Sequence, residues 1–161
     1  MQFDPIGKED CLMLDSEIIY RYIHAGKGRV TLVNPKTLKG HSYAFEKPAN
    51  EKEFPDNTIF AYVLHDNHKM YLGMLDGSGI RRTKGSRMDE DTEAMRGVRY
   101  IVMMANNQQL VDQELMHLYH SGKCCYCGRE LNGIKGRKAG IGKKCLQKYN
   151  AKLMQVPWDG N

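Results

Sequence analysis

Apolar and polar residues follow two rhythms along this chain. In Leu12–His24, Ile18, Ile19, Tyr22 and Ile23 fall on one helical face, with Asp15 or Ser16 placed to cap its start and Gly26 and Gly28 to end it. From Arg29 the pattern changes. Arg29–Asn34 and His41–Phe45 are rich in β-branched and aromatic residues and flank a Pro35–Gly40 connection, which predicts a β-hairpin. Thr58–Leu64 and Met70–Leu75 predict a second hairpin around the polar cluster His65–Lys69, whose two histidines read as solvated turn residues. Lys47–Asn57, with Pro48 and Pro55, reads as a surface loop. Ile80–Arg87 is a basic edge strand with Arg81 and Thr83 on one face and Arg82 and Lys84 on the other. Asp89–Ala105 returns to helical spacing through Ala94, Met95, Val98, Ile101, Val102 and Ala105, with acids crowding its start. Leu110–Tyr119 fits a strand or a helix; periodicity does not choose between them.

These elements make an α+β body, antiparallel β-hairpins covered by a helix, over residues 1–116, of which 1–27 form an arm and a short helix. Beyond it the rhythm gives way to cysteine, glycine and lysine. Cys124 and Cys127 stand in C-x2-C spacing, and Gly128 follows in a position suited to a tight turn. Cys145 comes after Gly140-Ile-Gly142, where a glycine loop enters a helix and the first turn favours a thiolate. With His120 as the fourth donor the set is Cys3His, suited to tetrahedral Zn2+; His117 and Cys125 compete for that fourth place. A knuckle, a loop or hairpin and a helix-borne ligand predict a treble-clef-like zinc finger over residues 117–153, followed by a tail, 154–161, in which Trp158 either packs back or offers a stacking surface.

Charge sharpens this division. Residues 121–152 hold nine Lys or Arg against one acid, Glu130, whereas residues 1–120 carry fifteen basic and seventeen acidic side chains. The positive charge therefore belongs to the finger, as expected of a surface that meets phosphates. Lys123, Arg129, Arg137, Lys138, Lys143 and Lys144 are the candidate contacts there, Arg81, Arg82, Lys84 and Arg87 extend the track, and Tyr126 is placed to stack on a base. The five cysteines, four of them in one segment, suit a reducing cytoplasm and a metal site rather than a disulfide framework. No apolar run approaches membrane-spanning length, and the amino-terminal residues lack a secretory pattern.

The order Val30-Thr-Leu-Val, Tyr71-Leu-Gly, Lys84-Gly-Ser-Arg87, then His120-x-Gly-x-Cys124-x2-Cys127-Gly-Arg-x-Leu131 and Gly140-Ile-Gly-x2-Cys145 resembles small uncharacterised proteins of bacteriophages and mobile elements. These end in a zinc finger of unknown function. The resemblance covers roughly residues 28–147, and its specific part is the C-terminal motif. It implies a phage setting, in a host cytoplasm, and a zinc site; it supplies no activity. Cys125 departs from the pattern, standing where a non-ligand belongs.

Catalysis is not expected. Four protein donors close a zinc shell, and no H-E-x-x-H, deaminase-type or phosphate-loop motif occurs; nor is a small-molecule substrate evident. The expected function is that of a zinc-stabilised nucleic-acid-binding accessory protein. The alternative is a phage module that binds and modulates a host enzyme of defence, transcription or replication.

Overall fold

Asp15 starts the first helix as its side chain accepts the Ile18 amide, and helix α1 runs Ser16–His24. Its apolar stripe, Ile19, Tyr22 and Ile23, is fully buried. The two predicted hairpins form, as β1 (Lys27–Val33) with β2 (Gly40–Glu46) and β3 (Phe60–His65) with β4 (His68–Asp76). A three-residue strand β5 (Gly79–Arg81), helix α2 (Glu93–Asn106), strand β6 (His117–His120), and helices α3 (Gly133–Ala139) and α4 (Lys143–Met154) complete the chain. The computed structural model describes residues 2–66, 68–76, 79–107 and 110–154; the predicted tail, Trp158 included, lies outside them.

The strands form one curled antiparallel sheet in the order β5-β4-β3-β2-β1-β6, with a register shift between Ala61 and Tyr62 that adds local twist. Alternation decides its faces. Val30, Leu32, Tyr43, Phe45, Ala61, Val63 and Leu72 are buried, while the opposite face carries Arg29, Glu46 and Lys69 as an ion-paired row and a Thr31–Ser42 hydroxyl contact of 2.7 Å. Helices α1 and α2 pack on each other and on the sheet. Gly97 lets α2 approach closely, for a Cβ there would lie 2.2 Å from the Tyr43 hydroxyl oxygen, which donates to the Ala94 carbonyl at 2.8 Å.

Several expectations change in detail. The strand expected through Arg87 stops at Arg81, so no alternation sorts Arg82 from Lys84. Helix α2 begins after Thr92, whose hydroxyl accepts the Met95 amide, and Asp89, Glu90 and Asp91 lie before the helix. The ambiguous 110–119 stretch resolves as a turn followed by β6. That strand pairs with β1 from Val30↔His120 to Val33↔His117, so residues 117–120 belong to the body's sheet and not to the finger. The amino-terminal arm is also built in: Phe3 bonds the Leu38 carbonyl at 2.8 Å, and Met13 bonds that of Leu118 at 2.7 Å.

His24, expected at the surface or as a partner of the helix dipole, is half-buried against Tyr20, ring centroids 4.1 Å apart. Burial pulls its pKa down to about 4, so it is neutral. The unfolded chain takes up this proton near pH 6.5 while the folded chain refuses it until about 4. Stability is therefore undiminished above pH 6.5 and falls as the pH drops through that window. Urea unfolding at pH 7.5 and pH 5 should show His24→Gln losing less stability on acidification than the unsubstituted chain, by about 1–2 kcal/mol.

Candidate metal centre

The finger begins where β6 ends. Lys123 and Glu130 pair across a short hairpin, the Cys124 amide bonds the Arg129 carbonyl at 2.8 Å, and the Gly128 amide closes the turn onto the Cys124 carbonyl at 2.9 Å. Gly128 has φ +82°, as the turn requires. Cys124 and Cys127 therefore face the same point. Helix α4 brings the third sulfur from its first turn, at Cys145. The three Sγ atoms all lie within 4.8 Å of one another. A tetrahedral ion with metal–sulfur bonds of about 2.3 Å needs about 3.8 Å between sulfurs, so this trio can close on an ion with small side-chain adjustments.

The local electrostatics suit a bound cation. Burial works against ionisation of Cys124, yet the amides of Gly142, Cys127 and Tyr126 together with the Cys127 thiol outweigh it and lower its pKa; the Gly142 amide lies 3.4 Å from the sulfur. Cys145 moves the other way, to about 11, through its partial burial, the neighbouring thiols and the charge of Cys124. The surroundings thus favour the thiolate at Cys124 and oppose it at Cys145, and a bound cation would remove that opposition. Soft sulfur donors with no acidic neighbours in the group fit a thiophilic ion, and hard oxygen-seeking ions are a poor match.

His120 does not stand in this group. It is buried, its Nε2 bonds the Arg137 carbonyl, and its Nδ1 accepts the Gly122 amide at 3.0 Å, so the finger's backbone occupies both ring nitrogens. The competitors fare no better: His117 Nε2 contacts the Gln113 carbonyl at 3.0 Å, and Cys125 is in the core, where burial first and the neighbouring Cys124 second push its thiol up to about 12. Among the described residues the metal-capable group is the three cysteines alone. The closed four-donor shell, and with it the argument against a catalytic ion, therefore loses one protein donor.

Spacing gave no sign of Tyr22 as the finger's seat. From α1 its hydroxyl donates to the Lys123 carbonyl at 2.5 Å, and its ring stacks on His120 with centroids 4.9 Å apart and planes 14° apart. Gly140, which ends α3 at φ +72°, lies so close that a Cβ would sit 2.3 Å from that ring. Arg137 on α3 pairs with Asp10 at 3.3 Å, in the 3-10 turn Glu9–Cys11, and the buried Cys11 sulfur faces Gly122. Cys124, Cys125, Leu131 and Ile141 thus join the hydrophobic core of the body. Helix α3 itself was not expected, since two glycines in seven residues argue against it.

The charged candidates divide. Lys123, Arg129, Lys138, Lys143 and Lys144 are exposed in the segment that carries the trio, as are Lys135, Lys148 and Lys152; Arg137 is tied to Asp10. Tyr126 is half-buried, with the Lys152 ammonium 5.4 Å from its ring centroid. Arg81 and Arg82 are matched by Asp76 at 3.8 Å and Asp89 at 3.9 Å, while Lys84 and Arg87 are exposed. In strand order β5 and β6 are the two edges of the sheet, yet the sheet's curl brings the β4–β5 turn, at Asp76 and Gly79, into one cleft with Tyr126, Tyr149 and Lys152 of the finger.

Comparison with protein-family models, curated proteins and solved structures returns no match. No described helix is long and apolar enough to cross a membrane.

Two outcomes follow for purified protein dialysed against a metal-free buffer and assayed for bound metal. Cys127→Ser and Cys145→Ser should lose the ion, whereas His120→Ala should keep one equivalent while unfolding more readily by about 1–3 kcal/mol, because a buried stack and two hydrogen bonds disappear. Gly140→Ala, strained at positive φ and pressed on Tyr22, should cost about 2–4 kcal/mol in urea unfolding.

Proposed function

We propose that this protein is a zinc-stabilised nucleic-acid-binding accessory protein, phage-encoded as its resemblance implies, and that its treble-clef-like finger meets phosphates. The observation that carries the reading is eight exposed cations in the same short segment as three convergent thiols, with Glu130 the single acid in residues 121–152. Zinc is the fitting ion because thiolates select it over hard cations and it needs no redox chemistry. It would supply two positive charges against the three thiolates, leaving one net negative charge that the surrounding lysines offset, and would lock knuckle to helix. Cys124, Cys127 and Cys145 hold it, and water or an external donor takes the fourth position. The role is one of binding, since no carboxylate or imidazole joins the sulfurs among the described residues to move a proton. Such a thiol set belongs in a reducing cytoplasm.

The second reading, a module that docks on a host enzyme, draws on Leu110, Leu115 and Ile134, which are large, apolar and more than half exposed. A single host protein recovered stoichiometrically after nuclease treatment would favour it.

Five phosphate contacts from Lys123, Arg129, Lys138, Lys143 and Lys144 set the salt dependence of nucleic-acid affinity. In anisotropy titrations of metal-loaded protein, these five contacts should contribute a slope of log affinity against log salt of about −3.5 on a single strand or about −4.5 on a duplex. Replacing Lys143 and Lys144 together by Ala should flatten it by about 1.5–2. A flat dependence, or no binding with metal present, contradicts the proposal.

A further inference from the structure

Between the body and the finger lies a cleft of about 400 Å³ that neither the metal centre nor the basic rim uses. Helix α1 lines it with Tyr20 and His24 and the finger with Tyr126 from the knuckle and Tyr149 from α4, while Val102 of α2 and Leu75 of β4 line it too. Lys47 and Lys152 join the lining. Four rings with two ammonium groups make the elements of a site that holds flat rings between aromatic faces and phosphates at its edge.

We infer that this cleft takes unstacked bases of a single-stranded nucleic acid between the Tyr20–His24 and Tyr126–Tyr149 pairs, with Lys47 and Lys152 on its phosphates. The inference rests on the nucleic-acid reading above and narrows it to a strand class. In a duplex the base faces are hidden in the stack, so rings recessed in a cleft reach them only in a strand whose bases splay outward. Charge sets the direction of the strand. Asp76, the acid in the lining, lies 3.8 Å from the Arg81 guanidinium and is offset by it. Beyond Tyr20 and Tyr149 the groove continues to Asp15 and Glu17, two acids against the single cation Arg21, which leaves that end net negative. The backbone therefore passes on the Lys47–Lys152 side, the side continuous with the exposed lysines of α4. Lys152 already rests over the Tyr126 ring, and an arriving base would displace it toward the phosphate that the base brings.

The test is anisotropy of labelled oligothymidylate and of a labelled duplex of matched length with full-length, metal-loaded protein. The single strand should bind about tenfold more tightly, and Tyr149→Leu or Tyr126→Leu should each remove about tenfold on the single strand while leaving duplex affinity within about twofold. Lys47→Glu, outside the finger, should weaken the single strand several-fold, and metal content and the thermal transition report whether each variant is folded. Equal or tighter duplex binding, or folded tyrosine variants with unchanged single-strand affinity, overturns the cleft and leaves the basic finger standing. No binding to either probe overturns the nucleic-acid reading as well.

Discussion

Three cysteine sulfurs within 4.8 Å of one another are the constraint on which the finger depends. Segment 121–154 has little core of its own, and its glycine-turned knuckle, its short α3 and the start of α4 meet at those sulfurs. Left as thiols, they compete for protons: one is drawn toward the anion by backbone amides, and another is pushed away from it by its neighbours. A bound divalent cation would remove that conflict and turn it into cohesion, which would make ion binding and folding of the segment one equilibrium. The surrounding positive charge adds to the argument, since lysines lower the cost of gathering thiolates and are left facing outward once the ion is in place.

The second support is apolar and comes from the body. Tyr22 and His120 form a stacked pair under the finger, one fixing the Lys123 carbonyl and the other the Arg137 carbonyl. His120 therefore shapes the metal site without entering it. By bonding Gly122 on one side and α3 on the other, its ring spans the knuckle and the glycine loop. Burial lowers its proton affinity against the opposing pull of the Arg137 carbonyl, and Nδ1 accepts the Gly122 amide while Nε2 faces that carbonyl, so the ring connects both sides.

What the sequence made legible follows from which interactions are local. Both hairpins, α1 with its Asp15 cap, and the thiol trio with Cys145 in a first helical turn were readable, because each is written within a few residues by period, turn chemistry or C-x2-C spacing. The role of His120 was not. Its spacing from Cys124 suits a ligand, and only the packing of Tyr22 across the fold and the closeness of Arg137 turn its nitrogens elsewhere. In the same way β6 could not be told from a helix until β1 supplied an edge to pair with. The body–finger boundary shifted for that reason: residues 117–120 look like a lead-in to cysteines, and long-range pairing makes them sheet. The basic patch at Arg81–Arg87 was visible as composition, yet the pairing of Arg81 with Asp76 and of Arg82 with Asp89 is a tertiary fact.

The most direct measurement is X-ray absorption at the zinc edge on protein loaded with one equivalent of the ion. The account predicts three sulfur neighbours at about 2.3 Å and one lighter oxygen donor, with the spectrum unchanged in His120→Ala. A shell with fewer than three sulfurs, an imidazole signature that disappears with His120, or failure to retain the ion at all would contradict it.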